Sequence, residues 1–212
     1  TKRDNPYFSW RCIFMRKSLW LLTLFSAVFL FQPCAEALTE RDGAVLIAFY
    51  SRTGNTKASC EVLQKELDAD LLEIRDMENR HSRLGIIGGI LRALLGLPTR
   101  IDHQPVKLDK YRLIVLASPV WASNLAPAVN AFVEKHDFSG RHVVLFITAD
   151  SFIEEKYLEK QKTAIEKRGC RVAGQFQVQV LEGVKDEKAQ RDWEDVFDDV
   201  RQLAEKIRQL CL

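Results

Sequence analysis

Between an unbroken apolar run, Ala44–Tyr50, and a segment with helical spacing stand Ser51, Arg52, Thr53, Gly54, Asn55 and Thr56. Where a strand turns into a helix, the helix start presents unpaired N–H groups and the positive end of its dipole. Ser, Thr and Asn side chains add donors, and a glycine lets the backbone approach an anion closely. The chemistry open to these residue types is phosphate binding, with no acid, base or nucleophile required. The pattern is neither G-x-x-x-x-G-K-[ST] nor G-x-G-x-x-G, and the cysteine-plus-arginine loop of a phosphatase is missing. Ser, Thr and Asn are also ordinary N-caps, so a plain capped turn is the competing reading. Elsewhere Cys60, Cys170 and Cys211 form no C-x-x-C pair, and His81, His103, His136 and His142 are scattered, so no metal set is expected.

The elements that must position this loop follow from periodicity. Strand-length apolar runs recur at Leu71–Ile74, Arg112–Ala117, Arg141–Thr148 and Val172–Val180. Between them Cys60, Leu63 and Leu67 share a helical face, and helices are expected over Ala126–His136 and Ile153–Lys167. Trp193, Val196, Phe197, Val200, Leu203, Ile207 and Leu210 then mark the stripe of a last amphipathic helix. Continuous apolar strands are covered on both faces, and strands separated by helices run parallel through right-handed crossovers. The expected fold is therefore a doubly wound α/β sheet, whose ligands bind beyond the carboxyl ends of the strands. That directs attention to the loops after the first, third and fourth strands.

One crossover is long. Between Glu78 and Asp102 there are four arginines, Arg80, Arg83, Arg92 and Arg100, and no acid. Leu84, Ile87, Leu91 and Leu94 line one helical face, although Gly85, Gly88 and Gly89 each lower helix propensity by roughly 1 kcal/mol. Two readings stand: a helix packed closely on the sheet through its glycines, or a mobile basic flap at the ligand or a membrane surface.

Composition bounds the rest. With 212 residues, 47% of them hydrophobic, the chain fits one globular domain and an extra terminal segment. Residues 38–212 hold 26 Lys/Arg against 27 Asp/Glu, a balance that excludes a nucleic-acid binder with its basic face. From Met15 the order is Arg16 and Lys17, an apolar run Leu19–Phe31, then Ala35-Glu36-Ala37, the layout of a secretory signal cleaved near Ala37. The run falls short of the roughly 20 residues a bilayer span needs, with an uncleaved membrane anchor through residues 15–37 as the alternative. Export to the periplasm or beyond is expected. Residues 1–14 precede Met15 and read as upstream sequence translated in frame.

At the first loop the chain resembles the flavodoxin family, whose phosphate loop T/S-x-T-G-x-T directly follows the first strand; here SRTGNT follows VLIAFY. The stretch ASPVWASNLAPAVNAFVEK resembles that family's flavin-contacting loop after the third strand. The resemblance spans residues 43–212 and implies a five-stranded parallel sheet in the order 2-1-3-4-5, with FMN as cofactor. Carried over by position, Ser51, Thr53, Asn55 and Thr56 hold the phosphate, Gly54 gives it room, and Arg52 completes the loop. Ser118 and Pro119 open the second loop, and backbone groups from Pro119 through Val120 to Ala122 face the redox-active side of the ring. Trp121 is expected beside or over the isoalloxazine, against the alternative of a core tryptophan beneath the loop. The third loop, TADSFIEEKY, departs from the pattern, offering neither an acidic loop with a stacking tyrosine nor a glycine-rich stretch. Asp150, Ser151 and Phe152 are its candidates, Phe152 as a second ring wall.

The resemblance implies an electron carrier between redox partner proteins or to a small-molecule acceptor, with peripheral or anchored membrane association in view. The alternatives are an NAD(P)H-dependent quinone or flavin oxidoreductase and a flavin-free interaction module on the same fold. The fold also brings Cys170 and Cys211 to the edge opposite the flavin, where an oxidising compartment would permit a disulfide. If the basic crossover nears the ring, its arginines ease flavin reduction relative to the acidic flavodoxins.

Overall fold

A computed structural model describes residues 44–80, 82–182 and 189–210, all within one unit, Glu40–Leu212. Along the chain β1 (Ala44–Phe49) leads through the loop to α1 (Asn55–Leu67) and β2 (Asp70–Glu73), followed by β3 (Arg75–Asp76), α2 (Arg83–Leu95) and β4 (Ile101–Asp102). Next come β5 (Tyr111–Trp121), its short return β6 (Asn124–Leu125), α3 (Pro127–Lys135), β7 (His142–Ala149), α4 (Glu155–Glu166) and β8 (Arg171–Gln179). The chain ends in β9 (Leu181–Glu182), β10 (Ala189–Gln190) and α5 (Trp193–Leu210). β2, β1, β5, β7 and β8 lie side by side in that order, every pair parallel, which is the expected 2-1-3-4-5 arrangement of a flavodoxin-like doubly wound sheet.

The strands read as unbroken apolar runs because both faces are covered. Ile47, Phe49, Leu113, Val115, Val144 and Phe146 face one layer, in which Cys60 and Leu63 of α1 meet Val196, Val200, Ala204 and Ile207 of α5. Leu46, Ile114, Leu116 and Leu145, at the alternate positions of the same strands, are just as buried. Each fully buried large apolar side chain contributes about 1.5–3 kcal/mol, so the sheet is a rigid platform for its loops.

The long crossover is a packed helix rather than a flap. Serine 82 caps α2, its hydroxyl accepting the Gly85 N–H at 3.0 Å, and Gly96 ends it with a left-handed φ of 65°. α2 rests on β5, β6 and α3, and its buried residues are Gly89 and Ala93. Arg80, 5% exposed, anchors the entry: its guanidinium donates to Asp76 at 2.7 Å, to the Gly85 carbonyl at 3.0 Å and to Thr99 at 3.0 Å. Thr99 in turn donates to Asp76 at 3.0 Å. Arg92 donates to the Pro98 carbonyl at 2.8 Å, and Arg100 pairs with Glu78 at 3.6 Å. Arg80 is thus a buried structural cation that ties the start of the crossover to Asp76 and Thr99.

Cys60 and Cys170 are free, buried thiols, and the Cys170 S–H donates to the Ile165 carbonyl at 3.3 Å. Cys211 and the signal or anchor segment 15–37 lie outside the described residues, as do residues 1–14.

Candidate functional site

At the carboxyl edge of the sheet Phe49 of β1 is level with Ala117 of β5, and Pro119 of β5 with Thr148 of β7. The loops after these three strands therefore emerge side by side. In the first, Ser51 accepts the Gly54 N–H at 3.1 Å through its hydroxyl, folding the loop on itself. Gly54 has φ of 100°, a conformation costly for any residue with a Cβ, and it is the N-cap of α1 with no side-chain cap and no acid in the first turn. Nothing lies within 4 Å of where a Gly54 Cβ would stand. The first intrahelical bond runs from Ala58 N–H to the Gly54 carbonyl at 2.9 Å, so the N–H groups of Asn55, Thr56 and Lys57 stand at the open end of the dipole.

The hydroxyls of this loop have separate tasks. Thr53 is exposed with Arg52, and Asn55 is half-buried. Thr56 is buried, its hydroxyl 2.7 Å from that of buried Thr148 in β7. Threonine 56 therefore pins α1 to the sheet as well as lining the loop. Thr148 was not singled out from the sequence, where it looks like one more β-branched strand residue. Tyr50, buried at the exit of β1, has its phenol pushed up to about 12, first by burial and then by the Asp76 carboxylate, while Arg80 and Arg52 act in the opposite sense. A cleft of about 230 Å³ lined by Tyr50, Ser51, Arg52, Asp76 and Arg80 opens beside the loop. A larger groove of about 460 Å³ runs along Lys57, Glu61, Leu71, Glu73 and His103 and is lined by no residue of the second or third loop.

The second loop is a hairpin. β5 overshoots the sheet and folds back as β6, with Val120 opposite Leu125 and Trp121 opposite Asn124. Ala122 and Ser123 sit between them at φ of 50° and 60°, the left-handed pair a two-residue turn needs. Glycine and asparagine are the usual occupants there, so this turn holds strain set by its surroundings. Ser118, buried, donates to the Pro119 carbonyl at 2.9 Å and accepts the Ala126 N–H at 2.9 Å. Asn124 accepts from Gln161 at 2.8 Å and donates to the Ala122 carbonyl at 2.8 Å. Ser118 is accordingly a staple of the loop rather than a side chain presented to a ligand. Pro119 and Val120 are half-buried and Ala122 is exposed.

Trp121 corrects the expectation of an open ring wall. Only 7% exposed, it packs beneath α2, where a Cβ on Gly89 would come within 2.2 Å of its ring. The physical reason is the missing side chain at Gly89, which lets the helix backbone lie directly on the indole. In the third loop Asp150, Ser151 and Phe152 are all exposed, Phe152 at 64%. Two glutamines of β8 hold that loop. Gln177 accepts the Ile153 N–H at 2.8 Å and donates to its carbonyl at 3.2 Å, and Gln179 donates to the Asp150 carbonyl at 3.3 Å. Gln179 also donates to the Leu181 carbonyl at 2.8 Å, but the bonds that hold the loop reach partners 24 and 29 residues earlier and so leave no local sequence signal. Among the described residues no group of three or more His, Cys, Asp or Glu converges on a metal position.

No protein-family model matches the chain. An uncharacterised protein of Archaeoglobus fulgidus is 31% identical over 126 residues, covering 59% of this chain and 78% of the relative. The chain belongs to that protein's family. This family member shares its fold with a flavoprotein from Lactobacillus acidophilus solved in complex with FMN, at a TM-score of 0.57 and 22% identity over 64% of this chain and 93% of the other. A candidate flavoprotein from Bacteroides uniformis gives a TM-score of 0.57 at 18% identity over 78% of this chain and 99% of the other.

Proposed function

We propose that the chain binds FMN at the carboxyl edge of its sheet and acts as an electron-transfer protein of flavodoxin type. The observation that carries this reading is the start of α1: an uncapped, acid-free helix N-terminus behind a left-handed glycine, with hydroxyls on either side. Its free N–H groups, hydroxyls and open glycine suit a phosphate dianion, and the flavoprotein of the same fold solved with FMN supports the choice of ligand. Thr53, the N–H groups of Asn55, Thr56 and Lys57, and the room at Gly54 would hold the phosphate. The turn Pro119–Ala122 would present backbone groups to the ring, with Phe152 as its exposed aromatic neighbour.

When bound, FMN supplies the one- or two-electron chemistry. The chain's own residues bind, orient and exclude water, and none acts as acid, base or nucleophile. Redox partner proteins, or a small-molecule acceptor, meet the site from the side of the second and third loops. Export rests on residues 15–37 and is part of the same reading.

Titration of the purified protein with FMN and with riboflavin, followed by flavin fluorescence, tests the proposal. One FMN per chain, bound more tightly than riboflavin, is expected. A colourless protein that ignores both flavins overturns the cofactor and leaves an interaction module. Sustained NAD(P)H oxidation with a quinone as acceptor would replace the carrier by the oxidoreductase.

A further inference from the structure

α2 reverses the usual order of an amphipathic helix. Its small residues Gly89 and Ala93 face the protein, while Leu84, Ile87, Leu91, Leu94, Leu95 and, just beyond, Leu97 stand in solvent, Leu84 at 83% and Leu95 at 70% exposure. Of the ten large hydrophobic side chains exposed among the described residues, seven lie between Leu84 and Leu97. Scattered apolar residues on a surface need no explanation, but a contiguous aliphatic patch marks a surface that is covered in use. A helix apolar all round belongs inside a protein or against lipid.

Charge selects among the occupants. Residues 79–101 carry Arg80, Arg83, Arg92 and Arg100 and no acid, whereas the rest of residues 38–212 holds 22 Lys/Arg against 27 Asp/Glu. Arg80 is buried in its pair with Asp76 and Arg100 is paired with Glu78 at 3.6 Å, which leaves Arg83 and Arg92 exposed on the helix. A second copy of this chain would bring the same cations against each other. An anionic lipid surface satisfies both halves of the patch, taking the aliphatic side chains into the acyl boundary and the guanidinium groups at the headgroups. The acidic remainder of the molecule is repelled by such a surface, which fixes the orientation with α2 downward.

We propose that α2, through Leu84, Leu91, Leu94 and Leu95 flanked by Arg83 and Arg92, is the surface by which this protein docks onto an anionic membrane. The inference is independent of the cofactor. No bond is made or broken in it. Because α2 lies directly on Trp121 at the end of β5, docking sets the carboxyl-edge loops close to the bilayer surface.

Hydrogen–deuterium exchange of the full chain, read peptide by peptide with and without vesicles, tests it. Vesicles of phosphatidylglycerol and phosphatidylcholine should slow exchange across residues 83–97, and vesicles of phosphatidylcholine alone should do so much less. Arg83→Gln should weaken the vesicle partition of this segment about fivefold, the value of one interfacial cation. Leu91→Ser with Leu94→Ser should abolish the protection, and an unchanged far-UV circular dichroism spectrum confirms that this pair has folded. Protection confined to residues 15–37 overturns the proposal in favour of the anchor alone. Exchange of residues 83–97 left unchanged by the anionic vesicles overturns it, in favour of a second copy where the protection of that segment instead grows with protein concentration. Equal protection by the neutral vesicles overturns the anionic lipid.

Discussion

Thr53 and Thr56 carry the same hydroxyl in opposite surroundings, and the difference separates binding from folding. Thr53 is exposed at the loop, so Thr53→Ala removes nothing internal and, on the proposed reading, one hydrogen bond to the FMN phosphate. Such a bond is worth about 1.5–3 kcal/mol, so FMN affinity should fall by roughly 10- to 100-fold while riboflavin affinity stays put. Equal losses for the two flavins in a fluorescence titration would remove the phosphate from this loop. Thr56 shares its hydrogen bond with Thr148 in the interior. Thr148→Val keeps the shape but strands the Thr56 hydroxyl, which should cost about 1–3 kcal/mol of stability in a urea titration. The double variant Thr56→Val/Thr148→Val should recover part of that loss, since both partners are then apolar. A double variant less stable than the sum of the singles would count against this pairing.

At the scale of elements, α2 shows what periodicity can and cannot say. The spacing of Leu84, Ile87, Leu91 and Leu94 correctly puts them on one face, but spacing carries no information about which way a face points. Burial is decided by Gly89 and Ala93, whose short side chains let the helix sit against Trp121. The glycine that propensity counts against the helix is what brings it close. The strands were legible because apolar runs of strand length alternate with helical stripes, and their 2-1-3-4-5 order came with the resemblance to the flavodoxin family, whereas the roles of Thr148, Gln177 and Gln179 depend on partners distant in the chain. The first loop was legible as a glycine-containing turn into a helix, but not the bond that ties Thr56 to Thr148. For Trp121 the sequence left ring wall and core tryptophan both open, because the residue covering it lies on another element. Gly89→Ala tests that contact. Helix propensity alone would gain about 1 kcal/mol, yet a methyl driven into the indole should cost about 1–3 kcal/mol, so a net loss or near balance is expected together with a shift in tryptophan emission. A clear gain in stability with unchanged emission would contradict the close packing.

For the whole molecule, the buried titrating groups bound the pH range over which the fold holds. Tyr50 is raised from 10.0 to about 12 by burial and by Asp76. Tyr111 is raised as well, by burial first and then by donating its hydroxyl to Asp70 at 2.9 Å. Groups raised on folding stabilise the protein below their unfolded value and lose that contribution as pH climbs through the folded value; burial raises the Cys60 and Cys170 thiols from 9.0 as well, so stability should decline above about pH 9. His136 moves the other way. Burial lowers it from 6.5, its contact with the Phe132 carbonyl opposes that shift, and His103 and Lys135 add to the lowering. His103, Phe132 and His136 form one ring cluster, with the two histidine centroids 5.0 Å apart, joining the chain beyond β4 to α3. A lowered base stabilises the fold above its unfolded value and loses that contribution as pH falls below 6.5, where protonation must meet burial and a neighbouring imidazole. Urea midpoints measured from pH 5 to 11 should therefore trace a plateau bounded on the acid side by His136 and on the alkaline side by the buried thiols and the two phenols. His136→Phe should flatten the acid limb and Tyr50→Phe should soften the alkaline one. An acid limb unchanged in His136→Phe would remove His136 as its source.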